Sequence, residues 1–383
     1  MTSPTTVERT RLPALDGLRG VAAIVVLLYH GTQIVRPALT ETGTVVYKSL
    51  ADSPVKLAFA GTEAVLVFFA LSGLVVALPA LRAGFAWAPY YGARLIRLYL
   101  PVWAALAFAA LLIVLLPRDA NAAPPGSWLA GSNARAVTPA ALLGEASLWR
   151  TSYPIDNVLW SLRWELLFSL LLPAFVALAL LLRRATLPAI AVALGLSVLG
   201  RVLGIDALVY LPVFFAGTLI ASRLEALRSW AARRDPAFWR LFGLGSAAVL
   251  VSGWLMRDLV APGTPGGLVL WGLAGAGAAG LVVTAIGSRA AESALGIRPV
   301  QWLGRVSFSL YLVHVPVLAT LAYLWGEAAW PAVLAVGIPV SLLVAELFTR
   351  LVERPSHRLA QSVRRAISRA VGLRRAVPAT TAR

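Results

Sequence analysis

Apolar runs of about 18–22 residues recur along almost the whole of this 383-residue chain, and they restrict its fold severely. A lipid core offers no water to backbone N–H and C=O groups, so a spanning segment must satisfy them internally, as a helix does. About 20 apolar residues in a helix cross the hydrocarbon layer. The sequence is 59% hydrophobic and only 13% charged, where a soluble domain carries roughly 25% charged residues. The expected fold is all-α: a polytopic membrane helix bundle of about ten transmembrane helices. Spans are expected at roughly 17–38, 58–80, 98–117, 159–182, 186–203, 207–222, 241–256, 267–288, 306–325 and 332–351.

Ten spans place both termini on one side. With that side cytoplasmic, all but nine of the 34 Lys and Arg residues fall inside, as the positive-inside rule requires. The formal charge of +17 then reads as topology, with membrane lipids as partners and no nucleic acid. The expected location is the cell inner (cytoplasmic) membrane, multi-pass. The chain has no cysteine, which excludes disulfides, thiolate catalysis and Cys-ligated metals; no metal site is expected. Arg9 and Arg11 precede an apolar core as in a signal peptide. Asp16 and Arg19 stand at that core's entrance, and no small-x-small cleavage site follows His30, so a retained first span is expected.

One membrane domain is expected over 1–355, followed by a basic amphipathic cytoplasmic tail over 356–383. In that tail Leu359, Val363, Ile367 and Val371 recur every four residues, with Arg364, Arg365, Arg369, Arg374 and Arg375 on other faces. Such a helix suits an anionic lipid surface. The longest loop, roughly 118–158, either shapes an acceptor site or is a solvated connector. The stretch "GAGAAG" holds a literal GxGxxG at Gly275, Gly277 and Gly280. It lies inside an apolar helix, without the strand and following acid that a dinucleotide site needs. Small residues there permit close helix approach.

Ionisable residues inside spans are costly and mark function. "LDGLRGVAAIVVLLYHG" carries Arg19 and His30, eleven residues apart. On a helix they stand about 16 Å apart along the axis and about 20° out of line, so they share a face. Asp16, three residues before Arg19, can pair with it. Arg94 and Arg97, at i, i+3, present two guanidinium forks suited to phosphate. Glu165 opens the fourth span, where it can orient an imidazole or a hydroxyl; Trp160 and Trp164 suit an interfacial aromatic belt. Ser307, Tyr311 and His314 form one polar stripe on the ninth span. Glu346 and Arg350 read as a structural i, i+4 ion pair.

Taken in order, these segments resemble the integral membrane acyltransferase family 3. "LDGLRGVAAIVVLLYH" matches its first-span Arg–His signature at Arg19 and His30. "FFALSGL", Phe68 to Leu74, matches FFxxSGF with Leu for the last Phe, and Arg94 and Arg97 match RxxR, with Ala93 where a further Arg is common. "WSLRWE", Trp160 to Glu165, matches WSLxxE. "GRVSFSLYLVH", Gly304 to His314, matches GxxSYxxYLxH with Phe308 for Tyr, and Glu353, Arg354 and Pro355 match E[KR]P. The resemblance runs from about residue 11 to 357, with no appended SGNH-type domain in this chain.

The resemblance implies transfer of an acyl group, commonly acetyl, from cytosolic acyl-CoA to a hydroxyl on a glycan, lipid-linked sugar or macrolide-like acceptor. No cofactor is expected to be held permanently; acyl-CoA is a substrate. A separate extracytoplasmic transferase is a further expected partner if the chain does not finish the reaction itself. A thioester needs a base for the attacking alcohol and a stabilised oxyanion. His30 is expected as general base, Arg19 near the donor or the developing charge, and Arg94 and Arg97 on the donor phosphates. Asp16, Trp160, Glu165, Ser72, Ser307, Tyr311 and His314 are expected to bind or orient the acceptor. A covalent route through Ser72 or Ser307 would need an adjacent base; direct attack in a ternary complex is the simpler expectation. The rival class is a proton-coupled transporter or flippase of an envelope precursor, although no matching halves are found in the sequence.

Overall fold

The computed structural model describes residues 12–42 and 53–372, and every regular element among them is helical. Arg9, Arg11, Lys48, Arg374, Arg375 and the end of the expected tail lie outside the described residues. The helices are α1 (Pro13–Thr42), α2 (Gly61–Ala80), α3 (Trp87–Leu115), α4 (Trp128–Ser132), α5 (Pro139–Ala146), α6 (Leu159–Leu181), α7 (Thr186–Leu203), α8 (Asp206–Ser222), α9 (Leu224–Ala231), α10 (Pro236–Leu250), α11 (Ser252–Leu255), α12 (Pro265–Gly272), α13 (Ala274–Gly287), α14 (Arg289–Leu295), α15 (Arg298–Trp325), α16 (Trp330–Phe348) and α17 (Arg354–Ala370). Among the described residues eight stretches are long and apolar enough to cross a membrane, or nine if α8 and α9, bent by 72°, count as one span. The segment expected as a seventh span is the 15-residue α10. Helix starts follow local chemistry. Asp235 and Thr264 cap α10 and α12 with their side chains, and a proline opens each first turn, where its missing N–H costs nothing.

Close backbone crossings hold the bundle together. A Cβ on Gly73 of α2 would sit 2.0 Å from Phe214 O of α8, and one on Gly217 would sit 2.1 Å from Ala70 O. Only glycine fits both sides of that crossing. Phe214 stacks between Phe69 and Phe168 at 4.4 and 4.6 Å, anchoring one apolar core between α2, α6 and α8. A second glycine crossing joins α1 to α15. A Cβ on Gly304 would lie 2.3 Å from Asp16 O, and one on Gly20 would lie 2.5 Å from Gly304 N. The glycines of "GAGAAG" do the same for α13: Gly277 abuts Leu250 N and Gly280 abuts Ser246 Oγ of α10.

Three features differ from the sequence expectation. First, α3 begins at Trp87 rather than near residue 98, so Arg94 and Arg97 sit in its second and third turns. The aromatic start, with Trp87, Tyr90 and Tyr91 in mutual ring contact, extends the helix below its purely apolar part. Second, the segment after α3 is no solvated connector. Leu129, Leu148, Tyr153, Ile155 and Asp156 are buried, and Trp103 and Tyr99 near the middle of α3 donate to Ala146 O and Ser147 O. The segment therefore descends into the bundle and roofs it. Because α6 starts below this roof, Glu165 lies level with Arg94 rather than at the outer end of the bundle, and Trp160 and Trp164 pack on Tyr210. Third, α16 leads into a basic amphipathic segment that packs in part on the bundle, where a lipid surface alone was expected. It continues through a π turn, Thr349–Glu353, into α17. That helix docks on α3: Val363 and Ile367 face Gly92, and Ser356 Oγ donates to Ile96 O. Leu359 and Val371 of the expected apolar stripe stay exposed.

Candidate active site

The first turns of α1 and α3 and the whole of α17 mark a basal end of the bundle; the 116–158 segment roofs the other. From the basal end a cavity of about 360 Å³ rises between α1, α2, α3, α6, α15 and α17. Its ionisable lining is Arg19, Arg94, Arg97, Glu165, Glu353, His357 and Arg364. Four guanidinium groups thus face two carboxylates. A pocket with that imbalance attracts anions.

One carboxylate is engaged through a single oxygen. Glu165 Oε1 pairs with Arg94 and accepts from Ser72 Oγ at 2.6 Å, while Arg94 Nε donates to Ser169 Oγ at 2.9 Å. Two signature segments and the RxxR arginine thereby meet in one wall. Glu353, the other carboxylate, accepts from Ser309 Oγ at 2.6 Å, and Thr349 Oγ1 donates to that serine at 2.8 Å. It lies within electrostatic reach of Arg19 and Arg97. The π turn swings Glu353 inward, a common use of such irregular turns.

The apolar inner end of the cavity is closed by Phe68, Leu162, Phe308 and Tyr311. Tyr311 Oη meets Ser161 Oγ at 2.7 Å and donates to Val158 O at 3.2 Å. Phe68 and Tyr311 stand edge to face at 5.8 Å. Phe308 occupies this wall with a ring and no hydroxyl.

His30 lies outside that lining. It is buried, faces protein rather than lipid, and pairs with His314: His314 Nε2 is 3.0 Å from His30 Nδ1. Each ring also turns Nδ1 toward the carbonyl four residues earlier, Val26 O at 3.1 Å and Leu310 O at 2.9 Å. Carbonyls only accept, so these partners assign the tautomers. His314 carries its proton on Nδ1 and offers the lone pair of Nε2. His30 donates from Nδ1 to both Val26 O and His314. The remaining lone pair is on His30 Nε2, which has no hydrogen-bond partner among the described residues. Trp128 of α4, part of the roof, lies 5.3 Å from the His30 ring.

The structure thus brings Arg19, Ser72, Arg94, Arg97, Glu165 and Tyr311 into one cavity and sets His30 and His314 together behind its inner wall. It does not bring in the others. Ser307 Oγ turns back to Gly304 O at 2.9 Å, Trp160 packs on Tyr210, and Asp16 lies in the first turn of α1 with its carbonyl at the Gly304 crossing. Glu346 and Arg350 do pair, at 2.5 Å, with Trp302 Nε1 on the same carboxylate. Sequence reading assigned no site role to Ser161, Glu353, His357 or Arg364. Glu353 was visible only as part of a closing motif, and Arg364 only as one of many basic residues in a surface-like helix. Among the described residues no three His, Asp or Glu side chains gather as metal ligands would.

A family model described as an acyltransferase domain matches residues 12–350, nearly the whole chain. No curated protein and no solved structure matches it.

Proposed function

The chain belongs to the acyltransferase-3 family of membrane acyltransferases, and on that premise we propose that it moves an acyl group from cytosolic acyl-CoA to an acceptor hydroxyl. Acetyl is the expected group, and a glycan, lipid-linked sugar or macrolide-like molecule the expected acceptor. The basal end faces the cytosol in this reading, with both termini inside, in the inner membrane; the ten crossings it calls for are the eight long apolar stretches, the bent α8–α9 pair and the shorter α10. The observation that carries it is the basal cavity, where four arginines outnumber two glutamates. A CoA thioester presents several phosphate charges at one end and a neutral thioester at the other. Arginines at the mouth and an aromatic inner wall match that polarity.

Depth supports the assignment as well. Arg19 and His30 are about 16 Å apart along α1, a span that an extended pantetheine arm can cover. With its phosphates near Arg97 and Arg19, the donor carries its thioester toward Tyr311 and the histidines. Arg94, held by Glu165, positions the wall. His30 Nε2 takes the proton of the acceptor hydroxyl as the oxygen attacks the thioester carbonyl. The carbon–sulfur bond breaks, and the imidazolium returns the proton to the departing CoA thiolate. His314 keeps the His30 lone pair on Nε2 by accepting from Nδ1. The inner wall must part for the thioester to meet the base, and Tyr311 and Phe68 are the rings that would move.

The test is CoA release and product formation by purified protein given labelled acetyl-CoA and candidate acceptors. His30→Ala should lower turnover by about 10²–10⁴-fold, the usual contribution of general acid–base catalysis, at unchanged protein level. Turnover near wild type would overturn the assignment. Failure of the wild-type protein to cleave the thioester would favour a carrier.

A further inference from the structure

We infer that α17, the helix beyond the last span, belongs to the donor site, and that Arg364 with His357 binds the phosphates at the nucleotide end of acyl-CoA. The inference rests on the acyltransferase reading and extends it to a segment whose sequence resembles a lipid-facing tail.

Three observations carry it. The first is the placement of α17. Ser356 is tied to Ile96 O, and Val363 and Ile367 lie on Gly92, where a Cβ would come within 2.4 Å of Ile367. The helix therefore lies across the start of α3, at the basal mouth. The second is its face. Glu353, His357 and Arg364 all line the cavity, and four and seven residues return a helix to nearly the same side. A different stripe, Ser356, Val363 and Ile367, makes the docking contacts. The cavity face is thus distinct from the face that holds the helix in place. The third is charge. Among the described residues no carboxylate lies within ion-pairing distance of Arg364, whereas Glu165 engages Arg94 deeper in.

Size then indicates what Arg364 would meet. A cavity of about 360 Å³ lies near the lower limit for small-molecule sites. It accommodates an acylated pantetheine arm and leaves the nucleotide, with its pyrophosphate and 3′-phosphate, at the mouth. Arg364 is exposed there, at the end of a flexible side chain that can fork onto a phosphate. An anionic lipid headgroup carries the same phosphate chemistry, so the test is run in nanodiscs of phosphatidylcholine alone, with a parallel set containing phosphatidylglycerol.

The experiment measures acetyl-CoA binding and initial rates for wild type, Arg364→Ala, Arg364→Lys and Arg358→Ala, each against acetyl-CoA and its 3′-dephospho analogue. Arg364→Ala should raise the acetyl-CoA KM about tenfold, the weight of one charge-assisted contact, with kcat little changed. The KM ratio between the dephospho analogue and acetyl-CoA should shrink toward one. Arg364→Lys should recover part of the loss, and Arg358→Ala should match wild type. An unchanged KM and ratio for Arg364→Ala, beside an active wild type, would overturn this inference and leave the acyltransferase reading intact. An effect confined to the phosphatidylglycerol set would assign Arg364 to lipid and overturn it too. Absence of donor binding by the wild type would overturn both.

Discussion

At the scale of single residues, the two histidines form a directional pair. In the proposed mechanism His314 fixes which nitrogen of His30 bears the lone pair, which makes it a positioning residue whose loss should be graded by what replaces it. His314→Ala should lower turnover about 10–100-fold, the usual cost of losing a partner that orients a functional histidine. His314→Gln, whose carbonyl can still accept from His30 Nδ1, should recover much of that. Equal loss in both variants, by the CoA-release assay, would contradict the tautomer assignment. Arg94 and Glu165 call for a different experiment. Their side chains are each 17% exposed and in direct contact, so removing either leaves the other uncompensated. Arg94→Ala and Glu165→Ala should each reduce thermal stability, and the double variant should lose less than the sum. Contacting residues show coupling of about 0.5–3 kcal/mol. Strict additivity would mean that the pair does not act as a unit.

At the scale of elements, the proposed mechanism makes activity depend on how closely α1 approaches α15, because that crossing sets His30 against His314. Gly304→Ala would drive a methyl to within 2.3 Å of Asp16 O. It should lower both the melting temperature and turnover, although Gly304 does not line the cavity. Gly195→Ala, mid-helix in α7 with nothing within 4 Å of the new Cβ, should be neutral or stabilising by about 0.5–1 kcal/mol. Thermal scanning of both variants checks the contrast. The spans themselves were legible because long apolar runs have one outcome in lipid. Arg19, Ser72, Glu165 and Tyr311 were legible because polar groups inside such runs need partners. What the sequence could not convey was depth. Glu165 reads as interfacial when counted from the start of its helix, and only the descent of the 116–158 segment brings it level with Arg94. Nor could it show α17 as cavity wall, since a basic amphipathic pattern is the same whether its partner is lipid or protein.

At the scale of the whole molecule, sidedness is open to direct test, because the chain has no cysteine. Trp149→Cys in the exposed part of the roof and Arg365→Cys on α17 should react with an impermeant maleimide from opposite faces of the membrane, position 149 from outside and 365 only after permeabilisation. Labelling of both from one face would break the proposed topology. The roof also has its own pH response. Asp156 is buried with neither carboxyl oxygen hydrogen-bonded. Burial pushes its carboxyl well above the usual range, and neighbouring Glu145 adds to this; the Val158 N–H pulls the other way without reaching hydrogen-bonding geometry. A raised folded-state value means that the native protein holds the proton more tightly than the unfolded chain. Stability from this group is full below the unfolded value, about 3.9, and is lost as pH rises toward the folded one. Asp156→Asn should therefore melt higher than wild type at pH 7, by less at pH 5, with the gap closing only below about 3.9. An Asn variant that melts lower at both would show instead that the charged carboxylate has a stabilising partner. The wall of Phe68, Phe308 and Tyr311 has a final consequence for the economy of the reaction. On the proposed reading a donor waiting below it is out of reach of the imidazoles, which would shield its thioester from idle hydrolysis.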